Sequence, residues 1–127
     1  MWSKNQVRAT KMELEYMYLV CTLGCIACEN FGIDRRASAH HIKDGNKHMG
    51  HRFVLPLCTG HHQANFARGE DYGAQIAVHR DHRGFVEIFG TERELWEKVQ
   101  IKLNLPVTGW PASKRVPRRI SNLEDWA

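Results

Sequence analysis

His51-Arg52-Phe53-Val54-Leu55-Pro56-Leu57-Cys58-Thr59-Gly60-His61-His62 is the stretch that decides the fold. Its apolar run, 53–57, predicts a short strand, and Pro56 places that strand at a sheet edge because proline has no N–H to give a ladder. From Thr59 to about Arg68 the pattern predicts a helix stopped by Gly69. Cys58 and His61 stand three residues apart at its start, so their side chains share one face. Upstream, Ala37-Ser38-Ala39-His40-His41-Ile42 predicts a second short strand. The glycine-containing loop between the two strands (Asp44-Gly45-Asn46, then Gly50) makes them a hairpin with a long connection.

Working outward, Cys25-x2-Cys28 forms a second closely spaced pair. Two residues between ligands let one tight turn grip a tetrahedral ion from two sides. Cys25 and Cys28 with Cys58 and His61 therefore complete a Cys3His shell for a structural Zn2+. Cys21, one helical turn earlier, reads as a core thiol.

The chain has eight histidines, and all fall between residues 40 and 82. His40 and His41 are neighbours on a strand and so point to opposite faces: one can face a metal while the other faces water. His62 points about 100° away from His61 around the helix, which separates a second site from the zinc. Asn65 stands one turn further on, within reach of that site. A metal and a general base in one place are what metal-assisted phosphodiester hydrolysis requires. His48 and His82 lie in polar loops and read as solvated.

Two capping boxes bracket this middle region. Thr10-x-x-Glu13 opens a helix over 11–22, with Met12, Tyr16, Leu19 and Val20 among its apolar positions, closed by Gly24. Thr91-x-x-Glu94 opens another to about Leu103, with Leu95, Trp96, Val99 and Leu103 on one face. A short helix is expected over 82–89, ending at Gly90, while 74–79 is ambiguous between strand and helix start. The expected class is α+β, a small core of two strands and a helix with a structural zinc and flanking helices. Residues 1–105 form a single domain in this reading. Residues 106–127 form a poorly ordered basic tail, with Lys114, Arg115, Arg118 and Arg119.

Composition narrows the function. At 43% hydrophobic and 25% charged, the 127 residues are neither disordered nor fibrous. No apolar run reaches the ~18–20 residues of a membrane span, and the first residues carry no apolar secretory segment. Four cysteines without such a segment point to metal or free thiols rather than disulfides. The formal charge of +4 suits a polyanion but alone does not name one.

Ala39-His40-His41-Ile42, followed by His51 to His62 as quoted, resembles the HNH nuclease family, whose fold is the ββα-metal finger. With Gly24-Cys25-Ile26-Ala27-Cys28 ahead of it, and Val78-His79 and Phe85-x3-Phe89-Gly90-Thr91-Glu92 after it, the set is similar to the phage Ref family of RecA-dependent HNH endonucleases, across roughly residues 12–103. The resemblance implies that His41 is the general base and that His40 and His62 hold a catalytic Mg2+ or Mn2+. It further implies that Cys25, Cys28, Cys58 and His61 hold the zinc, and that cleavage leaves 5′-phosphates. The middle Asn of the HNH motif is replaced by Phe53, which leaves His51 to orient the base. Some relatives have a third histidine four residues after the helix ligand, where this chain has Phe66. His79 or Asn65 is then the third ligand, with His79 preferred.

Implied partners are DNA, with the basic tail in place of the family's basic N-terminal arm, and a RecA filament presenting recombination intermediates such as D-loops. A monomer in the cytoplasm of a bacterial host, encoded by a phage or prophage, is the expected setting. The rival reading is a non-catalytic zinc module that binds DNA or protein. It accounts for the Cys3His set but not for His40, His41 and His62. A third reading, two closed structural zinc sites, requires four protein ligands at the second.

Overall fold

The computed structural model describes residues 8–111. Helix α1 spans Lys11–Thr22 and begins as the capping box predicts: Thr10 N–H donates to Glu13 Oε1 at 2.8 Å, and Glu13 N–H donates to Thr10 Oγ1 at 3.1 Å. It buries Met17 and Val20. Met12 and Leu19 face outward instead, with Met12 80% exposed, because the buried stripe runs through 17 and 20 rather than 12 and 19. Gly24 follows at φ +79°, where an added Cβ would sit 3.1 Å from Asp34 Oδ1 and 3.2 Å from Arg35 O. Glycine is required there on both counts.

Helix α2 (Ile26–Glu29) is one turn, capped by Cys25. Strand β1 (Ser38–His41) pairs antiparallel with β4 (Val54–Leu57) in the register Ser38↔Leu57 to His41↔Val54. Ile42 N–H donates to Phe53 O at 2.9 Å, which sets the alternation along the pair. Pro56, opposite Ala39, then falls on a non-hydrogen-bonded pair, where its missing N–H costs β1 nothing. The long connection folds into a small hairpin of its own, β2 (Lys43–Asp44) with β3 (Lys47–His48).

Helix α3 runs over Thr59–Gln63, half the expected length. Ala64 takes the left-handed conformation at φ 67° and its N–H returns to Gly60 O, so the helix ends at Gln63, well before Gly69. Residues 74–79 form neither strand nor helix. Helix α4 covers His82–Phe89 and α5 covers Glu92–Lys102, the latter opened by the Thr91–Glu94 capping box.

The core is built on β4, all four of whose residues are buried, against α1, α2, α3 and α5. Trp96, Phe85, Leu55, Leu57 and Val99 fill it, and Trp96 Nε1–H donates to Arg52 O at 2.9 Å. Buried Gln100 accepts from Tyr16 Oη–H and donates to Pro106 O, tying α5 to α1 and to the segment that follows it. The described start of that segment lies against the core: the Trp110 ring is 5.3 Å from Trp96 and 5.7 Å from Phe53. Lys114, Arg115, Arg118 and Arg119 lie outside the described residues.

Gly60 sits inside α3 under the rings of Phe66 and Tyr72, and an added Cβ would lie 2.6 Å from Phe66 Cδ1. Alanine gains about 1 kcal/mol of helix propensity over glycine. Overpacking of about 1–3 kcal/mol opposes it. Gly60→Ala is expected to lower the thermal midpoint, read by circular dichroism. An unchanged or higher midpoint would mean that the Phe66–Tyr72 pair swings away freely.

Candidate functional site

Two ligand clusters flank α3. At the first, the Cys25 thiol accepts from Cys28 N–H and the Cys58 thiol from His61 N–H, each at 3.4 Å. Each x2 turn thus orients its own pair. All four side chains are buried and face one point. His61 Nδ1 is 3.6, 3.5 and 3.4 Å from the sulfurs of Cys25, Cys28 and Cys58, and the Cys28 and Cys58 sulfurs are 3.8 Å apart. A tetrahedron with Zn–S near 2.3 Å and Zn–N near 2.05 Å requires about 3.6 Å between N and S and about 3.8 Å between sulfurs. The cage therefore has zinc dimensions. His61 Nε2–H donates to Ala74 O at 3.0 Å, and a carbonyl only accepts, so Nδ1 carries the lone pair that faces the thiols.

Arg35 donates to Cys28 Sγ at 3.4 Å and to Asp71 O at 3.0 Å, and its guanidinium lies 3.9 Å from the Tyr72 ring centre. That cation would offset the negative charge of three thiolates around a bound Zn2+. Cys58 is pulled down to about 3 by hydrogen bonds from the Cys25 thiol and from the His61 backbone N–H. Cys21 lies apart from the cage, half-buried, its thiol raised by burial.

The second cluster is His40, His62 and His79, one nitrogen of each lying within 4.8 Å of the others. Strand β1 supplies His40 and α3 supplies His62. His79 arrives from the irregular segment, which is laced to α3 by Val78 N–H to His61 O (2.8 Å) and His79 N–H to His62 O (3.3 Å). Asn65 follows the end of α3 at Gln63, so it does not stand one helical turn beyond His62, and it is exposed. Burial, then the neighbouring His40 and His79, holds His62 down at about 4, so at neutral pH its ring is an uncharged donor to a metal. His40 Nδ1 is buried and has no hydrogen-bond partner among the described residues. Three imidazoles, one with such an orphaned nitrogen, fit a divalent ion that keeps its other positions open.

His41 follows His40 in β1 and belongs to neither ligand cluster, though both border the same cavity. Its Nε2 shares a hydrogen bond with His51 Nδ1 at 3.1 Å, and the His48 ring stacks on it at 5.6 Å. Burial, followed by His51, His48 and His40, lowers His41 to about 4. A neutral imidazole can accept a proton. His40, His41, His79, Lys43, His82 and Glu92 line one cavity of about 280 Å³.

The model of a family described as recombination enhancement, RecA-dependent nuclease matches residues 9–104. The chain belongs to this RecA-dependent nuclease family. It is thus an enzyme that acts on DNA, and its work is recombination enhancement with RecA. Compared with curated proteins, the chain matches none. The matched span of the RecA-dependent nuclease runs from just before the Thr10 cap to just past α5, so both clusters and the cavity lie within it. Among the described residues no helix is long and apolar enough to cross a membrane.

Two residues at the site escape sequence reasoning. His48 reads as a solvated loop residue, yet the β2–β3 hairpin folds it onto His41. Glu92 enters the sequence reading only as the last residue of the Phe85-x3-Phe89-Gly90-Thr91-Glu92 pattern, without a role, yet its carboxylate faces His40 and His82. His82 keeps 60% of its side chain exposed at the cavity rim.

Proposed function

We propose that this RecA-dependent nuclease is a metal-dependent endonuclease of the HNH type, hydrolysing DNA phosphodiester bonds in recombination intermediates such as D-loops. The observation that carries the reading is the placement of His41 beside the His40–His62–His79 cluster, on adjacent positions of β1. Hairpin β1–β4 followed by α3 then serves as the ββα-metal core.

His40, His62 and His79 would hold Mg2+ or Mn2+, which when bound polarises the phosphate and stabilises the leaving 3′ oxygen. His41 takes the proton of the attacking water. His51, bonded to His41 Nε2, fixes the plane of that ring and the tautomer it presents. Lys43, on the cavity wall, offers its ammonium to a neighbouring phosphate. Cys25, Cys28, Cys58 and His61 would hold a structural Zn2+ away from the reaction, fastening β4 and α3 under the catalytic side chains. Outside the described residues, Lys114, Arg115, Arg118 and Arg119 would add phosphate contacts of no sequence preference.

Supercoiled DNA paired with a complementary oligonucleotide tests the reading, with and without RecA, in Mg2+, in Mn2+ and after chelation. Cleavage is expected where RecA has formed the joint, with 5′-phosphate ends, and is expected to fail without divalent ion. Equal cleavage without RecA keeps the HNH chemistry and removes the recombination substrate. No cleavage under any condition favours a non-catalytic zinc module.

A further inference from the structure

Glu92 is the first residue of α5, where an acid ordinarily serves the helix N-terminus. Here that duty belongs to Glu94, whose carboxylate accepts from Thr91 N–H at 2.8 Å. The carboxylate of Glu92 turns instead toward β1. Its Oε2 lies 2.5 Å from His40 Nε2 and its Oε1 3.1 Å from His82 Nε2, with only 16% of the side chain exposed. An ionised carboxylate is acceptor-only, so His40 donates through Nε2–H. The nitrogen left to His40 is Nδ1, the atom that is buried without a hydrogen-bond partner among the described residues. Burying an acceptor unpaired is unfavourable unless something else takes its lone pair.

We infer that Glu92 is the positioning residue of the metal cluster: it fixes the Nε2–H tautomer and the ring plane of His40, so that Nδ1 is presented to the ion beside His62 and His79. This rests on the proposed role of those three histidines. Imidazole ligands that donate their second N–H to a carboxylate are both oriented and made more basic. Glu92 also holds His82, on the cavity rim, through its second oxygen. Fifty-two residues separate Glu92 from His40. The α5 N-terminus thus takes part in a site otherwise built from β1, α3 and the segment at His79.

Mn2+ titration of the zinc-loaded full chain, followed by the electron paramagnetic resonance of the free ion, tests this in wild type, Glu92→Gln and His40→Ala. Glutamine keeps the shape and can still accept, but it loses the charge. Glu92→Gln is expected to weaken Mn2+ binding about 10–100-fold, with zinc content and thermal midpoint unchanged. Unchanged affinity in Glu92→Gln, alongside lost affinity in His40→Ala, would remove the role of Glu92 and leave the metal cluster standing. Unchanged affinity in both variants would remove the cluster and this inference with it. If Glu92→Gln does not fold, long-range proton–nitrogen NMR on the wild type reads the His40 tautomer directly. Protonation at Nε2 supports the assignment, and protonation at Nδ1 overturns it.

Discussion

Cys28→Ser is expected to abolish the cooperative thermal transition of this nuclease along with its zinc. The four ligands come from two places in the chain: the turn into α2 and the junction of β4 with α3. Closing them on one ion pins α2 to β4, around which the whole core is arranged. A described span of this size buries only about two-thirds of its unfolded surface, and the net stability of such domains is roughly 5–15 kcal/mol. Zinc binding in small metallo-domains supplies apparent free energies of about 10–16 kcal/mol, and binding free energy there is folding free energy. Losing one thiolate of three, and with it one of the acceptors of Arg35, removes a large part of that term. A strong chelator on the wild type should reproduce the effect, and added Zn2+ should reverse it. Metal content and circular dichroism on the same sample provide the check. A folded, zinc-free Cys28→Ser variant melting near the wild type would refute the structural role.

Local rules made the elements legible, and they stop where distant residues meet. The Thr10–Glu13 and Thr91–Glu94 boxes are self-contained, so both helices begin where the sequence places them. The Cys-x2-Cys and Cys-x2-His pairs carry their own turn geometry, and tetrahedral coordination joins them without knowledge of the fold. Alternation along β1 separates His40 from His41.

The misreadings have equally specific causes. Helix α3 was expected to reach Arg68, but the chain leaves it at Ala64, and the rings of Phe66 and Tyr72 pack over Gly60 instead. That early exit takes Asn65 off the helix. His79 joins it through backbone bonds to His61 and His62 that no spacing pattern announces. The roles of His48 and Glu92 are silent in the sequence for the same reason. A loop histidine and a first-turn glutamate are commonplace, and only the folded chain sets them against His41 and His40.

His41→Ala is expected to remove nearly all RecA-dependent cleavage while leaving the protein folded and metal-loaded. A positioned general base contributes about 10²–10⁴ in rate. That corresponds to about 3–5 kcal/mol of barrier. The side chain is half-buried and belongs to neither ligand cluster, so zinc content, Mn2+ affinity and DNA binding should stay near wild type.

His62→Ala provides the contrast that separates base from ligand. Its loss should appear in metal affinity, and raising Mn2+ should recover part of the activity. Raising Mn2+ should not help His41→Ala, whereas added imidazole, small enough to enter the vacated space, should restore some cleavage. Single-turnover rates on a RecA-made joint, across Mn2+ and imidazole concentrations, distinguish the two. Equal rates for wild type and His41→Ala would sink the catalytic assignment, because the water would then be losing its proton to something else. His51 would be the next residue to test, since it is hydrogen-bonded to the same ring.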